Sequence, residues 1–260
     1  MSASQYRRNR ADLKGFGWIP DLPDQRDRKF ITRLVFRDAK LPFAVSLRQN
    51  AGPIYDQGSI GSCTAQAIAA AIVYEEKKQG LPEIFPSRLF IYYNERLIEG
   101  SVDSDSGAQI RDGIKSVVSQ GVCPETEWGY EHPFDDVPWS KCYTEAKTGM
   151  VKQYLSLDPD LNQMQTCLAA GFPFIVGFTV YESFESDAVA SSGHVPMPGP
   201  DEQVIGGHAV LCLGYDNASQ TFLLQNSWGK DWGMQGFFTM PYAYLTNPDL
   251  AGDFWSIRMV

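Results

Sequence analysis

The spacing of apolar residues changes once along this chain, near residue 150, and the change separates two kinds of secondary structure. Before that point apolar residues recur at intervals of three and four, as in Ala65, Ile68, Ala69 and Ile72, which is typical of helices. After it the apolar runs are short, rich in β-branched and aromatic residues, and separated by Gly, Asn, Asp and Pro, which is typical of strands. This order predicts an α+β fold, with a mainly helical half over residues 41–150 and a mainly β half over 151–260.

Helix stops and turn residues predict where the individual elements lie. The first helix begins at Cys63, runs through alanines that indicate burial on most sides, and ends before Gly80. Two more helices are predicted over 87–99 and 110–120, and a single helix in the β half over 160–170. The predicted strands form a mostly antiparallel sheet or barrel and cover residues 172–180, 208–215, 221–226, 236–240 and 254–260. Residues 191–203 are predicted to form a polar loop.

Composition excludes several classes of function. A chain of 260 residues with 43% hydrophobic content can bury a large core, whereas its net charge of -9 argues against a nucleic acid or an anionic membrane as partner. No apolar stretch near the start is long enough for a Sec-type signal or a membrane span, so we expect a cytoplasmic protein or one exported by a signal-independent route.

The five cysteines are scattered, odd in number and without a CxxC pair, which predicts neither a disulfide framework nor a zinc site. A reducing compartment fits this pattern best. We therefore expect no metal and no cofactor, although a single bridge between Cys123 and Cys142 stays open.

Cys63 stands apart from the other cysteines because it opens a long helix. Unpaired backbone N–H groups and the positive end of the helix dipole stabilise a thiolate at that position, and such a thiolate is a nucleophile. The competing interpretation is a small buried residue, which is the commoner role of a free cysteine and the one we expect for Cys123, Cys142, Cys167 and Cys212.

A cysteine nucleophile needs an imidazole to accept its proton. Of the three histidines, His132 lies in a polar loop and is expected to be exposed, and His194 lies in a Gly- and Pro-rich loop and is the second choice. His208 follows two glycines and begins an apolar strand, which would hold its ring rigidly. Asn226 can orient the second ring nitrogen through its amide oxygen. Trp228 and Trp232 follow closely and could shield that hydrogen bond, or simply pack in the core.

Three segments, QGSIGSC (57–63), GGHAVLCLGY (206–215) and NSWGKDWGMQGFF (226–238), closely resemble the motifs of the papain-like cysteine peptidases in residue type, order and spacing. The resemblance covers most of residues 41–260. It implies the papain-like two-subdomain fold, in which a helical half with a central helix packs against an antiparallel β-barrel-like half and the active-site cleft lies between them. It also implies that Cys63 is the nucleophile, His208 the general base and later acid, and Asn226 the residue that orients His208. Gln57 and the Cys63 backbone N–H would form the oxyanion hole.

The resemblance has departures and further implications. Ile60 and Thr64 stand where the family often has Cys and Trp, so one family disulfide is lost, and Gly207 replaces a polar residue before the histidine, which could shift the pH profile. Substrate contacts are implied at Trp228 and at Gly107, where an extended peptide could pair its backbone. The alternative for Gly107 is a helix N-cap. Tyr242, Tyr244 and Leu245 are further candidates for shaping a specificity pocket.

Residues 1–40 precede the part of the chain that resembles the family. The stretch 16–30 carries aromatic and proline anchors but is too short and polar to fold alone. We expect a short prosegment or N-terminal arm that lies against the body and blocks the cleft as an intramolecular inhibitor, the alternative being an arm that only pads the surface.

The function expected from these observations is cysteine endopeptidase activity, with peptide or protein as substrate and a Cys63 thioester as intermediate. One alternative is a Cys-His amidohydrolase or transpeptidase that acts on cell-wall peptides or isopeptide bonds. The other is a papain-like binding protein without catalysis, which the presence of Cys63, His208 and Asn226 disfavours.

Overall fold

The computed structural model describes residues 15–32, 40–148 and 151–259. Seven α-helices are described in these ranges: α1 (Cys63–Gln79), α2 (Arg88–Glu99), α3 (Ile110–Ser119), α4 (Ser140–Glu145), α5 (Leu161–Ala169), α6 (Asp187–Ser192) and α7 (Tyr242–Leu245). The seven described strands are β1 (Ala44–Ser46), β2 (Gln153–Leu157), β3 (Phe174–Tyr181), β4 (Val204–Asp216), β5 (Thr221–Gln225), β6 (Phe237–Pro241) and β7 (Ala251–Arg258). The α+β class that the sequence predicted is confirmed.

Helix α1 is the central helix. Every residue from Cys63 to Glu76 is buried, which its run of alanines permits because small side chains let neighbours approach from all sides. The helix ends where Gly80 takes a left-handed conformation, with φ of 64°, and donates its N–H to the carbonyl oxygens of the last turn. Helices α2 and α3 pack against α1 and against each other, as the sequence indicated.

The strands form one antiparallel sheet in the order β2-β7-β3-β4-β5-β6, with β1 paired to the far part of β4. Among the described residues the sheet is open, with β2 and β6 at its edges. The predicted β-barrel-like half therefore does not close into a barrel. Strand β4 begins at Val204, four residues earlier than predicted, because its exposed and half-buried first residues still pair with β3 beyond the core. Strands β1 and β2 were not predicted, and Val260, at the end of the last predicted strand, lies outside the described residues.

The prediction of one helix in the β half is wrong. Besides α5, that half contains α6 and α7, and α6 takes the first two residues of the predicted 191–203 loop. These helices have six and four residues, too short to show a helical period. Capping holds α6 instead, because Ser186 Oγ accepts a hydrogen bond from Val189 N–H and Gly193 ends the helix in a left-handed conformation.

Two apolar clusters form the core. One surrounds α1, α2 and α3 and reaches the facing side chains of β3, β4 and β7, and the other lies on the opposite face of the sheet under α5, α6 and α7. Tyr242, Tyr244 and Leu245 belong to the second cluster, where they are buried. Within the described ranges, no helix is long and apolar enough to cross a membrane.

Glu95 of α2 is a buried carboxyl group behind the start of α1. Thr64 Oγ1 donates a hydrogen bond of 2.6 Å to Glu95 Oε1, and burial raises the pKa of Glu95 well above its usual range. The folded protein therefore keeps this group protonated at pH values at which the unfolded chain ionises it.

We predict that Glu95→Gln removes part of the loss of stability that accompanies rising pH. Above about pH 4.3 the unfolded chain loses this proton while the folded state retains it, so the free energy of unfolding of the wild type should fall more steeply than that of the variant, by up to about 1.4 kcal/mol per pH unit. Urea unfolding at several values between pH 5 and pH 8 measures both slopes. Glu131→Gln, at an exposed position, is the control, and parallel slopes for wild type and Glu95→Gln would contradict the prediction.

Candidate active site

Cys63 lies at the first position of α1, and its side chain is fully buried. Three backbone N–H groups face the thiol and favour the thiolate: that of Ala209 on β4, that of Gly17 in the N-terminal segment and that of Thr64 in the first turn of α1. Burial outweighs them and raises the pKa of Cys63 to about 12. The thiol is therefore next to Ala209, the β4 residue that follows His208.

His208 is hydrogen-bonded to Asn226, the residue that the sequence offered as its partner. The distance between His208 Nε2 and Asn226 Oδ1 is 2.8 Å, and Asn226 Oδ1 also accepts a hydrogen bond of 2.8 Å from Ser227 N–H. The oxygen of the amide therefore points at the ring, so His208 Nε2 carries the proton. Nδ1 is then the ring nitrogen that can accept a proton from a nucleophile.

Aromatic rings surround this histidine. Trp228 stacks on His208 with 4.9 Å between ring centroids, and Phe178 and Phe184 contact it at 5.7 and 6.3 Å. Trp232 packs on Trp228 at 5.3 Å. The two tryptophans therefore pack in the core, and they also cover the buried hydrogen bond between His208 and Asn226.

Gln57 is fixed by Ser227, a residue for which the sequence predicted no role. The backbone N–H of Gln57 donates to Ser227 O at 2.9 Å, and Ser227 Oγ donates to Gln57 Oε1 at 2.7 Å. The side-chain amide nitrogen must therefore turn the other way, and it donates to the carbonyl oxygens of Gly15 and Ile60 at 2.9 and 3.0 Å. Ser227 lies within the quoted NSWG motif, but its partner is 170 residues away, so only the fold reveals the contact.

The segment 15–19, which we call the arm strand, lies across these residues. Ala108 N–H donates to Gly17 O at 2.7 Å and Ile19 N–H donates to Ala108 O at 3.0 Å, so the arm strand runs parallel to the segment around Ala108. On the other side Trp18 N–H donates to Gly207 O at 3.0 Å. The arm strand thus pairs with the segment before α3 and with β4 at once.

Two residues of the arm strand reach the site directly. Phe16 packs edge-on against His208 and Trp228, with 6.4 and 6.2 Å between ring centroids. Gly17 lies so close to the residues before Cys63 that a Cβ atom added to it would be 1.6 Å from Gly61 O. Only glycine fits at position 17 in this arrangement.

Gly107 lies beside the arm strand and not at a helix end, since the N-cap of α3 is Gln109. It adopts φ of 73°, and an added Cβ atom would be 2.1 Å from Gly17 O. The N-cap alternative is therefore wrong. Trp228, the other predicted substrate contact, faces Phe16.

The remaining candidates lie elsewhere. His194 is exposed, and its Nδ1 is 2.9 Å from Thr239 Oγ1. His132 is not a free loop residue, because its ring stacks on Trp128 at 4.0 Å. All five cysteines are free thiols, so the bridge between Cys123 and Cys142 is not formed. The described residues contain no group of His, Cys, Asp and Glu that could hold a metal ion.

Acidic residues anchor the segment that follows the arm strand. Asp253 Oδ2 on β7 accepts hydrogen bonds of 2.8 Å from Trp18 Nε1 and from Asp21 N–H. Asp21 in turn accepts from Arg111 N–H at 3.1 Å and from Trp255 Nε1 at 2.7 Å. Further along, Phe30 is buried in the second core cluster.

Burial, followed by the charge of Asp253, raises the pKa of Asp21 to about 7. Burial also raises the pKa of Asp253. Two carboxyl groups therefore meet where the segment joins the body, and their ionisation opposes the contact.

Comparison with known proteins identifies the family. Residues 41–247 match the model of the papain family cysteine proteases. Xylellain, a cysteine protease from Xylella fastidiosa, is 42% identical with a TM-score of 0.86 over 95% of this chain and 97% of its own. The uncharacterized peptidase C1-like protein L477 of Acanthamoeba polyphaga mimivirus is 42% identical over 95% of this chain and 88% of its own length. Procathepsin L 3 of the Tenebrio molitor larval midgut shares the fold, with a TM-score of 0.71 at 18% identity over 99% of this chain and 79% of its own. The chain belongs to the papain family of cysteine proteases, and it is a cysteine-type peptidase.

Proposed function

We propose that this chain is a cysteine endopeptidase in which residues 41–260 form the peptidase domain and residues 1–40 form an arm that inhibits it. The observation that carries the proposal is the position of Cys63 at the start of α1, beside the strand that holds His208, with the histidine oriented by Asn226. Membership of the family supports peptide-bond hydrolysis over the amidohydrolase and the non-catalytic alternatives.

Acylation is the first half of the proposed reaction. The Cys63 thiol gives its proton to His208 Nδ1, and Sγ attacks the carbonyl carbon of the peptide bond as the carbonyl π electrons move to oxygen. Gln57 Nε2 and the Cys63 backbone N–H donate to the oxyanion, and a donor of this kind contributes roughly 10²- to 10³-fold in rate because the charge develops only in the transition state. The C–N bond then breaks, the amine takes the proton from His208, and a thioester remains on Cys63.

Deacylation reverses the role of the histidine. His208 Nδ1 takes a proton from water, the hydroxide attacks the thioester carbon, and the C–S bond breaks. The proton returns to the thiolate and the carboxylic acid leaves. Asn226 and the aromatic rings keep the imidazole in one orientation through both halves.

The contacts of the arm strand support inhibition rather than surface padding. Gly15 O accepts a hydrogen bond from the Gln57 side-chain amide, which would otherwise donate to the oxyanion. Gly17 lies against the Cys63 thiol. The arm strand also uses the backbone groups of Ala108 and Gly207 that an extended substrate would need. Residues 1–14 and 33–39 of the proposed arm lie outside the described residues.

We predict that Gly17→Ala in the full chain releases the arm and activates the enzyme. The new methyl group would collide with the Gly61 backbone, which cannot move without displacing the start of α1. Labelling of Cys63 by a peptidyl epoxide at pH 7, read by mass spectrometry, should become at least about ten-fold faster, which corresponds to about 1.4 kcal/mol of lost arm binding. Leu22→Ala, whose side chain is 69% exposed on the same arm, is the control and should label at the wild-type rate. Equal rates for wild type and Gly17→Ala would show that the arm does not inhibit.

The catalytic assignment is tested in the Gly17→Ala chain with an unstructured protein as substrate. Cleavage at internal peptide bonds is expected, with loss of activity by about 10²-fold or more on adding His208→Ala, since general base catalysis contributes roughly 10²- to 10⁴-fold. Cys63→Ala should abolish cleavage and labelling together. His194→Ala is the matched control, and a loss of activity equal to that of His208→Ala would overturn the choice of base.

The carboxyl pair makes arm binding pH-dependent. The groups that face Asp21 and Asp253 are Arg111 of α3, Trp18 and Asp27 of the arm, and Trp255 of β7. Asp21 has a pKa of about 7 when the arm is bound and an ordinary carboxyl pKa when it is released, so the bound state holds more protons between about pH 4 and pH 7. Arm binding is therefore strongest below this window and weakens as pH rises through it.

We predict that the exchange protection of the Trp18 and Ile19 amides falls as pH rises from 5 to 7, by up to about ten-fold per pH unit, the limit for one proton. Hydrogen exchange by NMR, corrected for the intrinsic pH dependence of exchange, measures this. Asp21→Asn should flatten the dependence. Asp24→Asn is the control, because hydrogen bonding to Arg26 lowers the pKa of Asp24 and keeps it ionised throughout the window. Protection that rises with pH would contradict the prediction.

A further inference from the structure

The peptide unit that joins Ile60 to Gly61, which we call the 60–61 peptide unit, lies beside the proposed oxyanion hole. Its carbonyl oxygen accepts hydrogen bonds from Gln57 Nε2 at 3.0 Å and from Ser62 N–H at 2.8 Å. Its N–H group donates to Asp105, with both carboxylate oxygens 3.0 Å from the nitrogen. Because a peptide unit is planar, a partner that fixes its N–H group also fixes the direction of its carbonyl group. Asp105 therefore acts on the group that holds Gln57.

A tyrosine of α2 holds the carboxylate of Asp105. Tyr92 is fully buried, and its hydroxyl group donates to Asp105 Oδ1 and accepts a hydrogen bond of 3.1 Å from Gly107 N–H. Hydrogen bonds to a carboxylate are roughly twice as strong as those between neutral groups. Asp105 thus connects the segment before Cys63 with the segment beside the arm strand.

The loop that carries Asp105 is positioned from the other side by Arg96. This side chain is fully buried, and its Nη1 donates to Val102 O and Ser104 O at 2.7 and 3.0 Å. The guanidinium also lies over the ring of Tyr92, with 4.0 Å between Cζ and the ring centroid. Asp105 lies at the surface, but buried residues on both sides determine where its carboxylate points.

The two hydrogens of the Gln57 side-chain amide have different partners. One is held by Ile60 O, and the other is donated to Gly15 O at 2.9 Å in the arm-bound structure. When the arm leaves, the second hydrogen can donate to an oxyanion, and its direction depends on the bond that holds the first. A donor for charge that develops only in the transition state has to be in place before the reaction.

We propose that Asp105 is a positioning residue for the oxyanion hole and acts on Gln57 through the 60–61 peptide unit. This rests on the proposed function. Successive hydrogen bonds polarise one another, so the carboxylate also makes the carbonyl oxygen of this unit a stronger acceptor for the Gln57 amide. Asp105 thereby supports a turn in which Ile60 stands where the family often has a cysteine.

The test uses the full chain with Gly17→Ala as the parent, so that the arm is released in every variant. Adding Asp105→Ala should lower kcat/KM for a fluorogenic peptide by about ten-fold, a part of the roughly 10²- to 10³-fold that loss of a whole oxyanion donor costs. Adding Gln57→Ala should cost that full amount. In the Gln57→Ala chain, Asp105→Ala should then cost less than about two-fold, because both changes remove the same interaction.

Alkylation of Cys63 by iodoacetamide distinguishes this role from a general effect on the fold. The reagent reacts by displacement of iodide and forms no oxyanion, so its rate at pH 7, read by mass spectrometry, should stay within about two-fold in Asp105→Ala. Asp103→Ala, at an exposed acid in the same loop, is the control and should keep both rates. Tyr92→Phe removes the hydroxyl group that holds Asp105, so it should also lower kcat/KM.

The outcomes separate this inference from the proposed function. An unchanged kcat/KM in Asp105→Ala would overturn the inference, as would an equal loss with and without Gln57, or a loss that iodoacetamide alkylation shares. In each of these cases the peptidase assignment stands. If the parent chain cleaves no peptide and no probe labels Cys63, the proposed function itself fails.

Discussion

The contact between the start of α1 and the middle of β4 is the constraint on which the rest of this molecule depends. A thiol at a helix N-terminus and an imidazole on a strand react together only if their elements pack closely, and alanines along α1 allow that approach to β4. Ala209 is both the β4 residue whose N–H faces Cys63 and the neighbour of His208. The packing of α1 on β4 that forms the core therefore also brings the two reactive side chains close together.

Successive hydrogen bonds fix the orientations of the side chains around this contact. Ser227 fixes Asn226 through its backbone N–H and Gln57 through its hydroxyl group. Asn226 fixes the tautomer of His208, and Gln57 turns its amide nitrogen toward the place where an oxyanion would form. A single serine thus orients both sides of the proposed site, which is why the short NSWG motif carries so much of its geometry.

The arm satisfies the same groups that catalysis would need. A site built to bind an extended peptide has unpaired backbone groups, a donor for an oxygen and a side-chain pocket, and the arm strand supplies a partner to each of them. Its binding is weakened by two carboxyl groups that must share a buried position. Asp253 takes part in this binding, because its carboxylate accepts hydrogen bonds from the Trp18 indole N–H and from the Asp21 backbone N–H.

The sequence by itself determined the α+β class, the central helix with Cys63 at its start, and the residue types of the proposed site, since these depend on local periodicity and on motifs within a few residues. It did not reveal the roles of Ser227 and Asp253 or the short helices α6 and α7, because each depends on partners distant in sequence or on caps without a period. The sequence also left open whether Gly107 caps a helix, and the position of α3, whose N-cap is Gln109, excludes this. Tertiary structure decided which distant groups meet, because hydrogen bonds and burial act through space, whereas the patterns that sequence reasoning uses act along the chain.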